Sequence, residues 1–135
     1  MNNKCQKEII KSDGLPQPIS QYSIGIKACH FLFVSGQLGL DPKTGELVEG
    51  GIEDQTKQSL LNIGEILKSA NSDLSQVVKI TVFLTDIKDS GAMNSIYKEF
   101  FKVDPPARSS VQVAALPKNG LVEIEAIAFV DHKCD

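Results

Sequence analysis

The chain has 135 residues, with 17 acidic against 14 basic side chains, a formal net charge of −3 and 41% hydrophobic residues. At this length one domain spanning residues 1–135 can build its own core, and the scattered lysines form no basic stripe, which argues against nucleic acid as the main partner. No stretch approaches the ~20 apolar residues of a membrane span and no apolar run of signal-peptide length opens the chain, so a soluble, cytoplasmic protein with no membrane partner is expected.

The elements follow in order. Leu15-Pro16-Gln17-Pro18 reads as a stiff, extended lead-in, because each proline fixes φ and keeps its predecessor out of helix. Tyr22 to Ile26 alternates like a strand, and Phe31 to Val34 reads as a second strand that stops at Ser35-Gly36, with a hairpin between the two. Asp41 to Gly45 has the residue types of a turn and leads into a short extended piece at Glu46 to Val48.

From Gly51 the period changes. Ile52, Thr56, Leu60, Ile63, Leu67 and Ala70 recur at steps of three and four, which predicts an amphipathic helix ending near Asn71, with Glu53 and Asp54 at the positive end of its dipole. The glycines at 50 and 51 read as a flexible turn, since acidic residues would repel phosphate there and no Lys-Ser/Thr follows. Val77 to Leu84 predicts a strand, and Met93, Ile96, Tyr97, Phe100 and Phe101 mark a second helix that Pro105 and Pro106 prevent from continuing. Two strands close the pattern, Ser109 to Ala114 and Leu121 to Val130, and Asn119-Gly120 between them is a hairpin signal. Residues 131–135 look like a solvated tail.

This order predicts an α+β fold, a mixed sheet with two helices on one face. The last strand carries Val122, Ile124, Ala126 and Ala128 on one face and Ile127 and Phe129 on the other, so both faces ask to be buried. A sheet with one helical layer and an apolar second face finds its cover in another subunit, and a homo-oligomer is expected.

The cysteines, Cys5, Cys29 and Cys134, are odd in number and do not look like a disulfide framework, which favours a reducing compartment. His30 and His132 lie in no metal-ligand spacing, so no metal is expected.

Arg108 stands out because the chain has thirteen lysines for surface charge and this one arginine, set after Pro105-Pro106-Ala107 at the mouth of a predicted strand. Its planar fork grips a carboxylate in bidentate fashion, as a lysine cannot, although a rim salt bridge would also account for it. Ser109 and Ser110 could add donors to the same anion. Glu123 and Glu125 share a face of the last strand that later turns apolar, and either a solvated margin or a general acid/base of raised pKa fits them. Tyr22 and Asn94 are further candidates, a polar handle and an amide, each with a structural role as the alternative. No serine lies in a GxSxG context, so nucleophilic catalysis has little support and a small carboxylate ligand with water activation fits better.

The runs Val34 to Leu38, Asp41 to Glu46, Val78 to Phe83, Pro106 to Val111 and Val122 to Ala128 together resemble the reactive intermediate deaminase (Rid, or YjgF/YabJ) family, over most of the chain from Ile19 to Val130. The resemblance implies a chorismate-mutase-like α+β fold, a homotrimer with ligand clefts between subunits, and hydrolysis of 2-imino acids such as 2-iminobutanoate or 2-iminopropanoate, or their enamines, to 2-oxo acids and ammonia, with no cofactor. Carried over by position, it implies that Arg108 binds the substrate carboxylate with help from the backbone at Ser110, that Glu123 positions or activates water, and that Tyr22, Ser35, Gly36 and Asn94 complete the cleft. Two positions depart from the family pattern: Ser20-Gln21 stands where Gly-Pro is common, and Ser110 where a cysteine is common. The resemblance also admits two other roles, a metabolite-binding regulatory module and an endoribonuclease that inhibits translation.

Overall fold

The computed structural model describes residues 4–130, so the expected tail at 131–135, with His132 and Cys134, lies outside the described residues. Six strands and two α-helices follow one another as β1 (Lys7–Ile10), β2 (Gly25–Ala28), β3 (Phe31–Leu38), α1 (Ile52–Ser69), β4 (Val77–Leu84), α2 (Ser90–Phe100), β5 (Ala107–Gln112) and β6 (Val122–Phe129). The strands form one sheet in the order β1-β2-β3-β6-β4-β5. Only β4 and β5 run parallel, because the α2 crossover returns the chain to the same end of the sheet. The architecture is the expected α+β mixed sheet with a single helical layer.

Helix α1 buries Thr56, Leu60, Ile63 and Leu67, the residues whose spacing marked it. It ends where Asn71 turns left-handed at φ 58° and the Ser72 N–H reaches back 2.8 Å to the Leu67 carbonyl, a Schellman closure. Beneath the helices, Leu32, Val34, Ile80, Val82, Leu84, Val122, Ile124, Ala126 and Ala128 are buried on one face of the sheet. On the other face Phe31, Phe33 and Phe129 are exposed, and the rings of Phe31 and Phe129 stack 5.4 Å apart. Each aromatic alternates with a buried neighbour, so the strand pattern itself leaves this second apolar face open.

Several expectations need correction. The last two strands do not form a hairpin: β5 pairs only with β4, and β6 lies antiparallel between β3 and β4. The chain wraps the end of β4 instead, with the Val113 N–H donating to the Leu84 carbonyl on one side and the Thr85 N–H to the Leu121 carbonyl on the other. Lys118 and Asn119 make the turn at φ 57° and 58° in a 3-10 segment, so the Asn-Gly signal marked a turn of another kind. The first predicted strand moves downstream to Gly25–Ala28, which leaves Tyr22 on the loop before it. Strand β3 does not stop at Ser35-Gly36; it bulges there, the register passing from Val34 opposite Ala126 to Gln37 opposite Ile124, and runs on to Leu38. The extended piece at 46–48 is reduced to one bridge, Leu40 to Leu47.

The cysteines also differ from expectation, since Cys5 and Cys29 form a disulfide with 5.0 Å between their Cα atoms. Strand β1, which the sequence did not reveal, is the cause: it pairs antiparallel with β2 from Lys7 opposite Ala28, and so lays Cys5 against the β2–β3 turn. Two of the three cysteines are thus paired, and they give no support to a reducing compartment. No helix among the described residues is long and apolar enough to cross a membrane.

Candidate active site

Two groups of side chains emerge, one on each face of the sheet. The first surrounds the bulge in β3. A bulge sets two residues against one, and here Ser35 and Gly36 stand across from Glu125 of β6. The Ser35 hydroxyl is turned back to the Ser23 carbonyl at 2.6 Å, which ties the bulge to the loop carrying Tyr22. Two residue pairs further along, Glu123 lies opposite Leu38 on β3 and Phe83 on β4 and points to the open face. Gly36 leaves room for it: a Cβ at that position would overlap the Glu123 carboxylate.

Tyr22, Ser35, Gly36 and Glu123 line one cavity of about 680 Å³, closed on one side by the loop from Leu15 to Ser20 and rimmed by Lys118. Burial raises the Glu123 pKa above the ordinary glutamate value, and repulsion from Glu125 raises it further. Glu125 is exposed and does not line the cavity, so the two glutamates that sequence left level are separated by position.

The second group lies beside α2. Arg108 and Ser110 pair with Ile80 and Val82, whose side chains are buried under the helices, so both project to the helical face from the edge strand β5. The Arg108 Nη1 donates to the Asn94 Oδ1 at 2.7 Å, and its Cζ sits 4.6 Å above the centre of the Tyr97 ring. An amide oxygen and an aromatic face orient the guanidinium without neutralising it. Because the Val113 N–H bonds to β4, the alternation along the strand turns the backbone groups of Arg108, Ser110 and Gln112 outward to the open edge. The Ser110 hydroxyl is buried and without a hydrogen-bond partner.

Within one chain these groups do not meet. Arg108, Asn94 and Ser110 are on the helical side, whereas Glu123, Tyr22, Ser35 and Gly36 are on the open side, and β5 and β6 are separated by β4, roughly 10 Å across the sheet.

Sequence reasoning missed the contact of Tyr97, whose place in an apolar helical stripe hid it among core residues, although its ring lies under Arg108. It also missed the polar residues of α1 that hold the cavity wall. The Ser59 hydroxyl donates to the Gln37 carbonyl at 2.7 Å, the Asn62 amide to the Leu40 carbonyl at 2.9 Å, and the Gln55 Oε1 accepts from the Leu121 N–H at 2.9 Å. Their signal was available: Gln55, Ser59 and Asn62 recur at steps of four and three next to the apolar stripe. Among the described residues no group of three or more His, Cys, Asp or Glu side chains could hold a metal ion.

A helix-backed mixed sheet, with a carboxylate in a cavity on one face and a braced arginine at the edge, defines a small α+β domain. The sequence profile of the family described as Endoribonuclease L-PSP matches residues 13–130. A RutC family protein of Pyrococcus horikoshii is 51% identical over 123 residues, spanning 91% of this chain and 98% of its own. The 2-iminobutanoate/2-iminopropanoate deaminase of Capra hircus is 51% identical over 122 residues, 90% of this chain and 89% of its own. Among solved structures, a Rid family protein of Yersinia pestis superposes with a TM-score of 0.89 at 45% identity, covering 93% of this chain and all of its own. The chain belongs to this family, the reactive intermediate deaminases.

Proposed function

We propose that the chain hydrolyses 2-imino acids, such as 2-iminobutanoate and 2-iminopropanoate, to 2-oxo acids and ammonia. The observation that carries this reading is Arg108, the single arginine, braced by Asn94 and Tyr97 with its charge intact. The names of the curated relatives at about half identity point the same way.

The cleft is completed between copies of the chain. A substrate that met both Arg108 and Glu123 would need the helical face of one copy beside the open face of another. The exposed Phe33, Phe129 and Val111 give that open face apolar surface to bury, and assembly as a homotrimer, the arrangement that the family resemblance implies, brings the two faces together.

The chemistry then requires no cofactor. Arg108 holds the carboxylate in bidentate fashion, assisted by the outward backbone of Ser110. The ionised Glu123 accepts a proton from water as the water oxygen bonds to the imine carbon, and the nitrogen is protonated to give a carbinolamine. A second proton on nitrogen and loss of the hydroxyl proton break the C–N bond, releasing ammonia and the 2-oxo acid. A carboxyl with a raised pKa suits both directions of this transfer. Tyr22 and Ser35 line the same cavity and define where the substrate side chain lies.

The test is ammonia release from 2-iminobutanoate generated in situ by an amino-acid oxidase. Acceleration by the purified protein, lost in Arg108→Ala, is the expected result; no acceleration would overturn the reading. A second reading, RNA cleavage, is favoured by the family's description alone, and the net charge of −3 opposes it.

A further inference from the structure

Tyr97 is 6% exposed, and its buried hydroxyl makes no well-aligned hydrogen bond, although the Arg108 guanidinium lies near enough to donate to it. A core position that wanted only apolar volume would be served by phenylalanine, as the neighbouring Phe101, whose ring lies 4.7 Å away, illustrates. The tyrosine instead lies face-on beneath the guanidinium of Arg108, at 4.6 Å. Asn94, on the same helix one turn earlier, takes one N–H of the fork at 2.7 Å. Arg108 itself is exposed on an edge strand, and a long side chain there would sample many rotamers if nothing held it.

We propose that Tyr97 is a positioning residue for substrate binding: its ring is the platform that fixes the plane of the Arg108 guanidinium, while Asn94 sets the rotation within that plane. This rests on the reading of Arg108 as the carboxylate ligand. The ring occupies one face of the guanidinium and Asn94 one of its edges. The remaining N–H donors are left in a fixed orientation for a carboxylate, so little rotamer entropy is lost on binding. Desolvation raises the Tyr97 pKa, and the charge of Arg108 together with hydrogen bonding from its guanidinium partly opposes this, in keeping with a neutral phenol packed against a cation.

Because the chain has one arginine, the Nε–H of Arg108 gives one assignable signal in a proton–nitrogen NMR spectrum. In the native protein it is expected upfield of free arginine, shifted by the Tyr97 ring current, and it moves when 2-oxobutanoate is titrated in. Tyr97→Leu removes the platform: the upfield shift disappears and 2-oxobutanoate binds about fivefold more weakly, while KM for the imine rises by about the same factor at a kcat within about twofold. Tyr97→Phe keeps the ring and recovers the upfield shift and most of the affinity.

The outcomes separate the two ideas. A native Nε–H signal that ignores 2-oxobutanoate overturns the role of Arg108 itself. A signal that responds to 2-oxobutanoate but is not ring-shifted in the native protein overturns the platform, with no variant required. So does Tyr97→Leu binding as tightly as the native chain, or Tyr97→Phe being as weak as Tyr97→Leu.

Discussion

Arg108 and Glu123 stand on opposite faces of one sheet, on strands β5 and β6 that flank β4. Register fixes this arrangement: Arg108 pairs with buried Ile80, and Glu123 with Phe83 on the other face. A one-residue slip of either strand would turn Arg108 or Glu123 to the other side, so the pairing that builds the core also sets the geometry of the proposed site.

Arg108→Lys tests bidentate recognition. The fold is expected to survive because Arg108 is exposed, whereas KM should rise by about tenfold or more with kcat changed by no more than about twofold, the pattern of lost uniform binding. Steady-state kinetics with 2-iminobutanoate gives the answer, and an unchanged KM would contradict the role.

Gly36→Ala and Gly39→Ala should fail in different ways. A Cβ at Gly36 meets first the carboxylate and Cγ of the flexible Glu123 side chain, which can swing away, so stability should change by less than about 1 kcal/mol while kcat falls by about tenfold or more. A Cβ at Gly39 meets the backbone of Gln55 in α1 at 2.6 Å, and that overpacking should cost about 1–3 kcal/mol. Denaturant melts and initial rates, measured on both variants, separate the two effects.

Glu123 should leave opposite marks on activity and stability. Its folded pKa is raised, so the native state holds the proton more tightly than the unfolded chain, and stability falls as pH rises through the unfolded value toward the folded one. Glu123→Gln should therefore melt higher than the native chain at neutral pH, with the difference vanishing below the ordinary glutamate range. The native kcat/KM should fall on acidification at a pH above that range, because the base must be ionised. Thermal melts and a rate profile across pH check both signs.

The Cys5–Cys29 disulfide ties β1 to the β2–β3 turn across a sequence separation of 24. Closing a loop of that order stabilises by about 2–4 kcal/mol, so Cys5→Ser or added reductant should lower the melting temperature by several degrees. A thiol titration of the denatured, unreduced protein should find the two cysteines blocked; free thiols at both would contradict the bond.

Local signals were legible in the sequence and distant ones were not. The stripe Thr56, Leu60, Ile63, Leu67 fixed α1, and the alternation of Val122, Ile124, Ala126 and Ala128 fixed β6 and its two faces, because period alone carries that information. The place of β6 between β3 and β4 depends on pairing across the chain, which no local pattern encodes, and Asn119-Gly120 pointed to the wrong partner. Strand β1 was hidden because Lys7 and Glu8 are exposed and only Ile10 of its four residues is buried. In the proposed site, Arg108 stood out in the sequence by its rarity, while the preference for Glu123 over Glu125 came from resemblance and found a physical argument only in the cavity. Tyr97 could not be told from a core aromatic until its ring was seen under the guanidinium.

The most direct test of a cleft built from two copies mixes two inactive variants, Arg108→Ala and Glu123→Gln, after dissociation and reassembly. Each interface in a randomly mixed trimer has about one chance in four of joining an intact Arg108 to an intact Glu123 from its neighbour, so about a quarter of native activity should return. Mixed trimers that form but remain as inactive as either parent would contradict the shared cleft.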